Sequence, residues 1–201
     1  MGPSQLIVNF GTIGLLVMVF VESGLLVGFF LPGDSLLFTA GLLASQGRLN
    51  LAVVVVGCAL AAIAGDQVGF GIGRRLGPAL FRKPDARLFK RRHLDRATKY
   101  FETHGNKTIV LARFIPVIRT FTPTVAGASG MQYRSFVMFN AVGGIAWAAG
   151  LTIAGYSLGS TVPSIDRYLL PIIAVIVVVS AVPAVLEVVR QRRAPAAESS
   201  I

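Results

Sequence analysis

The segment ARFIPVIRTFTPTVAGASG, residues 112–130, constrains this chain more than any other. It sets two arginines, Arg113 and Arg119, in sequence that is otherwise apolar or small, and interrupts it with Pro116 and Pro123. Each proline lacks an N–H and clashes with the preceding turn, so a continuous helix is not expected. The flanks, residues 108–112 and 135–154, are apolar enough to lie in a bilayer. A guanidinium at bilayer depth costs roughly 2.5–3.5 kcal/mol on insertion scales and faces a partner or a wet cavity. Broken backbone at that depth is tolerated only when it is buried in protein or lines water. Residues 108–130 therefore read as a re-entrant hairpin around an anion site.

Composition agrees. Of 201 residues, 54% are hydrophobic and 14% charged, with mean hydropathy +0.70. Soluble domains carry nearer a quarter charged residues, so the expectation is an all-α polytopic membrane protein. The single cysteine, Cys58, excludes a disulfide framework and reads as a small lipid- or core-facing residue. Net charge is +10, and eleven of the 19 Lys and Arg fall within residues 74–107. Basic loops stay cytoplasmic, which orients the chain. The basic run lacks interleaved aromatic pairs and lies between apolar segments, so nucleic acid is not an expected partner. The N-terminus has no basic region before its apolar stretch, and no cleavable signal peptide is expected.

Residues 6–30 are apolar except for Asn9 and Glu22, long enough to span with some tilt. Pro32 and Gly33 then break the helix, and Asp34 or Ser35 can cap the next one. Residues 36–44 are too few to cross, which suggests a first re-entrant region over residues 22–47. Residues 51–72 form the clearest early span, with Asp66 as its one acid and Gly65, Gly69, Gly73 and Gly77 along one helix face. That stripe allows close helix approach; GFGIGRRLG lacks the preceding strand and the spacing of a phosphate loop. Helical pieces are expected at residues 84–90 and 94–104 of the basic loop, where His93 and His104 read as solvated. Residues 136–159 form a span with Asn140 and Trp147 as its notable members. A last span covers residues 169–189 despite Pro171 and Pro183, and residues 190–201 form a disordered cytoplasmic tail.

Working backward from a cytoplasmic C-terminus puts Arg134 and the basic loop inside and Arg48 outside. The two hairpins then enter from opposite faces. Phe30-Leu31-Pro32 with Thr39-Ala40-Gly41 echoes Phe114-Ile115-Pro116 with Val125-Ala126-Gly127. Residues 1–189 thus read as one membrane domain with an inverted-repeat-like core. Paired interrupted segments in two halves point to a transport site at the midplane.

Four ionisable groups converge there: Glu22 and Asp34 from the first half, Arg113 and Arg119 from the second. They pair across the repeat. The two arginines lie six residues apart, on different faces of a continuous helix, and a bend at Pro116 can bring them to one point. Their forks suit phosphate or carboxylate oxygens, and helix ends at the breaks add donors. A carboxyl at membrane depth can bind and release protons, and Glu22 is the favoured carrier because Asp34 can be occupied as a cap. Proton binding there is expected to alternate with anion binding at the arginines. Asp66 either joins the site or ends a helix, and Asn140 is a further candidate. No Ser/His/Asp set converges on the arginines, so an enzyme is not expected, nor is a metal or cofactor.

ESGLLVGFFLPGDSLLFTAGLLA, AGDQVGFGIGRRLG and ARFIPVIRTFTPTVAGASGM, in this order, resemble the DedA membrane family, prokaryotic relatives of the VTT (SNARE-associated) domain proteins. The resemblance covers residues 21–159. It implies two opposed re-entrant hairpins and a role in moving lipids between leaflets of the bacterial cytoplasmic membrane. It implies an acidic pair at Glu22 and Asp34 and an arginine pair at Arg113 and Arg119. It also implies a flippase for undecaprenyl phosphate or a related anionic phospholipid, driven by the proton-motive force. The alternative is a proton- or sodium-coupled transporter of a small soluble solute. A flippase needs a site open sideways to lipid, whereas a solute carrier closes it on all sides. The glycine faces serve packing within one chain or between copies, so a homo-oligomer stays open.

Overall fold

The computed structural model describes residues 3–25, 32–80 and 107–161. These fold into six helices: α1 (Pro3–Gly24), α2 (Gly33–Ser45), α3 (Leu51–Leu80), α4 (Thr108–Ala112), α5 (Pro116–Ala128) and α6 (Tyr133–Thr161). The expected loop helices at residues 84–90 and 94–104, His93, His104, the last span and the tail lie outside the described residues.

Among the described residues two helices are long and apolar enough to cross a membrane, Leu51–Gly77 within α3 and Tyr133–Thr161. Their exposed stripes are aliphatic: Val53, Val56, Leu60 and Val68 on α3, and Met138, Val142, Ile145 and Ile153 on α6. The interior, by contrast, holds Glu22, Asp66, Arg113, Asn140 and Thr152. Apolar groups outside and charged groups inside is the arrangement that hydrocarbon as solvent favours. At about 1.5 Å per residue α2 and α5, 13 residues each, are about 20 Å long and fall short of a bilayer core of about 30 Å.

The two short helices end alike. In α2 the Gly47 N–H bonds the Ala44 carbonyl and the Arg48 N–H the Leu43 carbonyl, with Gly47 at φ 70°. In α5 the Gly130 N–H bonds the Gly127 carbonyl and the Met131 N–H the Ala126 carbonyl, with Gly130 at φ 76°. Both are left-handed glycine caps that satisfy the last carbonyls and turn the chain into a long helix.

Each short helix packs on the other half's long helix, across a reciprocal pair of glycines. A β-carbon on Gly41 would lie 2.0 Å from the Thr152 carbonyl oxygen, and one on Gly155 would lie 2.1 Å from that of Phe38. In the second pair, Gly127 would meet the Phe70 carbonyl oxygen at 2.1 Å and Gly73 that of Thr124 at 1.9 Å. The glycine stripe of α3 therefore packs as its spacing predicts. Gly65 lies against α1 at Phe20 and Gly24, while Gly69, Gly73 and Gly77 lie against α5 at Pro123, Thr124 and Ala128. Cys58 joins the core with Val19, Leu37, Val54 and Trp147.

Three boundaries differ from expectation. Helix α1 closes at Gly24, with Leu25 outside it, and residues 26–30 of the expected span lie outside the described residues. Helix α3 continues past residue 72 to Leu80, so Arg74 and Arg75 are helical and not in a loop. Its glycines are held by α5, and that packing outweighs their low helix propensity. The third difference is Pro123, which lies inside α5 and does not break it. The interruption is at residues 113–115, ahead of Pro116, which occupies the first turn where a missing N–H costs nothing. At Pro123 the ring packs beside Gly69, and Thr122 Oγ1 donates to the Ile118 carbonyl at 2.7 Å, tying its side chain back to the preceding turn.

Candidate functional site

Helix directions bring the charged residues to one level. Leu16 lies beside Gly57 and Gly24 beside Gly65, so α1 and α3 run parallel. Ile63 lies beside Gly144 while Asp66 lies near Asn140 through Arg113, so α3 and α6 run antiparallel. Asp66 and Trp147 both fall near the midpoints of their 30- and 29-residue helices. The site is therefore at mid-height in the bundle.

The interruption ahead of Pro116 brings Arg113 and Arg119 together as expected. Arg119 donates from Nη1 to Asp34 Oδ1 and from Nη2 to Glu22 Oε1. Arg113 donates from Nη1 to Asp66 Oδ2 and, at 2.9 Å, to Asn140 Oδ1. Glu22 and Asp34 thus share one arginine, and the second arginine takes Asp66 and Asn140. Acids of the first half pair with arginines of the second, and of the two readings left open for Asp66 the structure gives membership of the charged cluster. Gly33 abuts the Glu22 carboxylate, where a β-carbon would fall 1.6 Å from Oε2. Only glycine lets the start of α2 approach so closely. Pro32 occupies the N-cap position of α2 with no side-chain cap hydrogen bond, so Asp34 is not a cap. Its carboxylate is turned into the site instead, which removes the reason to prefer Glu22 as proton carrier.

Sequence reasoning missed the part played by Trp147. Its Nε1 donates to Asp34 Oδ1 at 2.7 Å, and the guanidinium carbons of Arg119 and Arg113 lie 4.7 and 5.4 Å from its ring centre. The available signal was its position: tryptophan is enriched at membrane interfaces, and this one lies in the middle of a span.

The three ion pairs differ in exposure at Asp34. The Arg113 and Asp66 side chains are 8% and 3% exposed, whereas Asp34 is 41% exposed. A pocket of about 190 Å³ opens at Asp34, bounded by Arg113, Arg119 and Trp147 and by Phe114, Ala146, Gly150 and Leu151. Phe114 is 57% exposed, and Ala146 and Gly150 are exposed as well. Among the described residues, the charged cluster therefore opens sideways, at mid-height, through an apolar rim. Chemically, the cluster can hold an anion at two guanidinium groups once carboxylates release them. Among the described residues no group of three or more His, Cys, Asp and Glu is placed to hold a metal ion.

The sequence profile of the VTT domain matches residues 31–157, which include Asp34, Asp66, Arg113, Arg119, Asn140 and Trp147. The chain is 47% identical to the protein DedA of Escherichia coli K12 over 184 residues, 90% of this chain and 84% of that one. It is 50% identical to an uncharacterized membrane protein of Mycobacterium leprae over 85% of this chain and 76% of the other. Against the inner membrane protein YghB of E. coli K12, identity is 37% over 75% and 68% of the two chains. No solved structure matches it. A helical chain with two membrane-length apolar helices, the VTT domain and this identity to DedA is a membrane protein of the DedA family.

Proposed function

We propose that the protein is a flippase that carries the phosphate head group of an anionic lipid, undecaprenyl phosphate or a related phospholipid, across the bacterial cytoplasmic membrane. The observation that carries this reading is the sideways pocket at mid-height, which joins two guanidinium groups to an apolar rim. A lipid needs only its head group enclosed, because its chains can stay in the bilayer. The two half-length helices with matching caps and reciprocal glycine crossings support two re-entrant hairpins related as an inverted repeat. In this reading residues 1–189 form one membrane domain with the tail and the basic loop cytoplasmic.

Coupling to protons follows from the pairs. Arg119 is occupied by two carboxylates, and a phosphate must displace them. A protonated carboxyl no longer balances the guanidinium, so protons at Glu22 or Asp34 free Arg119 for the anion. Protons and anion then bind together, not in alternation as the sequence alone suggests, because both carboxylates sit on the same Arg119, and anion binding strengthens as pH falls. The name of one relative as an inner membrane protein agrees with the proposed location.

The test is leaflet transfer of undecaprenyl phosphate in proteoliposomes, with and without a pH gradient, for wild type and Arg119→Ala. Transfer by wild type that the gradient accelerates and the variant loses is the expected result. A folded protein that moves neither this lipid nor anionic phospholipids would overturn it in favour of a solute carrier.

A further inference from the structure

We propose that Trp147 is a positioning residue whose indole forms a common floor for the two arginines and keeps both aimed at the pocket when carboxylates let go. The proposal deepens the anion-transport reading and rests on it.

Three contacts converge on one side chain. The ring faces both guanidinium groups, at 4.7 Å for Arg119 and 5.4 Å for Arg113, and its N–H donates to Asp34. Asp34 Oδ1 thus accepts from the indole and from Arg119 at once. Trp147 itself is 3% exposed, locked in the core beside Val19, Leu37 and Ala148. The indole is held by its packing, whereas each guanidinium stands at the end of a long stem and is held by its carboxylate partners.

The consequence appears during exchange of partners. When Glu22 and Asp34 take protons, Arg119 loses both of its charged acceptors. An unpaired guanidinium on a flexible stem would leave the pocket or drag water into it. The electron-rich face of an indole attracts a cation without neutralising its charge, and does so more strongly when the pair is desolvated. The ring therefore retains Arg119 while leaving its N–H fork free for phosphate oxygens. It also fixes the spacing between Arg119 and Arg113, because both stand over the same ring.

Trp147 is the chain's sole tryptophan, so its emission reports this contact directly. A charge over an indole ring shifts its emission, and the first experiment needs no lipid. Purified full-length protein in detergent is compared with Arg119→Gln and Arg113→Gln. A shifted emission maximum in both variants is expected; an unchanged spectrum in both overturns the floor whatever the protein transports.

The second experiment titrates short-chain phosphatidic acid, with binding measured independently by calorimetry, in wild type, Trp147→Phe and Trp147→Leu. Phenylalanine keeps an aromatic face, whereas leucine keeps only bulk. The expected result is affinity weakened about tenfold or more by Trp147→Leu and mostly retained by Trp147→Phe, with both variants equally stable to heat. Equal affinity in the two variants would overturn the proposal. Should either variant fail to fold, wild-type emission that stays constant while calorimetry records binding overturns it as well. An emission shift in the arginine variants without any lipid binding would leave the floor in place and sink only the transport reading.

Discussion

Asp66 is 3% exposed where Asp34 is 41% exposed, and a pair whose carboxylate is this deeply buried behaves differently from one whose carboxylate opens on the pocket. Removing one partner strands the other charge, so Asp66→Asn should destabilise the protein by about 3–5 kcal/mol. Replacing both in Asp66→Leu/Arg113→Leu should recover a large part of that loss in thermal unfolding in detergent, because apolar substitutes for buried ion pairs are often tolerated. Glu22→Gln makes the opposite kind of change, since a neutral amide imitates the protonated acid beside Arg119. Anionic lipid should then bind more tightly than to wild type above neutral pH, with a flatter pH dependence in a binding titration. The sequence made the four ionisable residues visible because charge is rare in apolar runs. It did not reveal who pairs with whom. Asp34 follows a proline–glycine turn and so reads as a cap, and only the approach of α5 shows its carboxylate bound to Arg119 instead.

The short helices depend on glycine, and the dependence is position-specific. Gly73→Ala would drive a methyl group to 1.9 Å from the Thr124 carbonyl oxygen, and backbone cannot swing away as a side chain can. Overpacking of this kind typically costs about 1–3 kcal/mol or more, read as a lower melting temperature. Gly71→Ala, two residues away on the same helix, meets nothing within 4 Å and should be neutral or slightly stabilising. The glycine stripe was legible because its period of four is that of a helix face. The continuity of α5 through Pro123 was not. A proline's local penalty is written in the sequence, while the packing that holds the helix together there, against Gly69 of α3, is tertiary.

At the scale of the molecule, the antiparallel course of α3 and α6 puts their first residues at opposite ends of the bundle, which the proposed transporter would set at opposite membrane faces. Cysteines placed at Arg48 and at Arg134, both exposed, should therefore react with an impermeant maleimide from opposite sides of sealed vesicles. The native Cys58 is buried and should not interfere. Length and hydropathy made the two long helices legible. The sideways opening was not, because it arises from which faces of α4, α5 and α6 the other described helices leave uncovered. The charged cluster has one further consequence, visible as an inventory of charge. Among the described residues it holds three carboxylates, Glu22, Asp34 and Asp66, against two guanidinium groups, a formal balance of −1 when all are ionised. A cluster at membrane depth that stays neutral keeps one proton when empty and needs two when it holds a phosphate monoanion. Each monoanion would then travel with one proton, and the loaded and empty forms would both cross the membrane's field uncharged. A voltage set by potassium and valinomycin should leave the transfer rate unchanged, whereas a pH step of either sign should alter it.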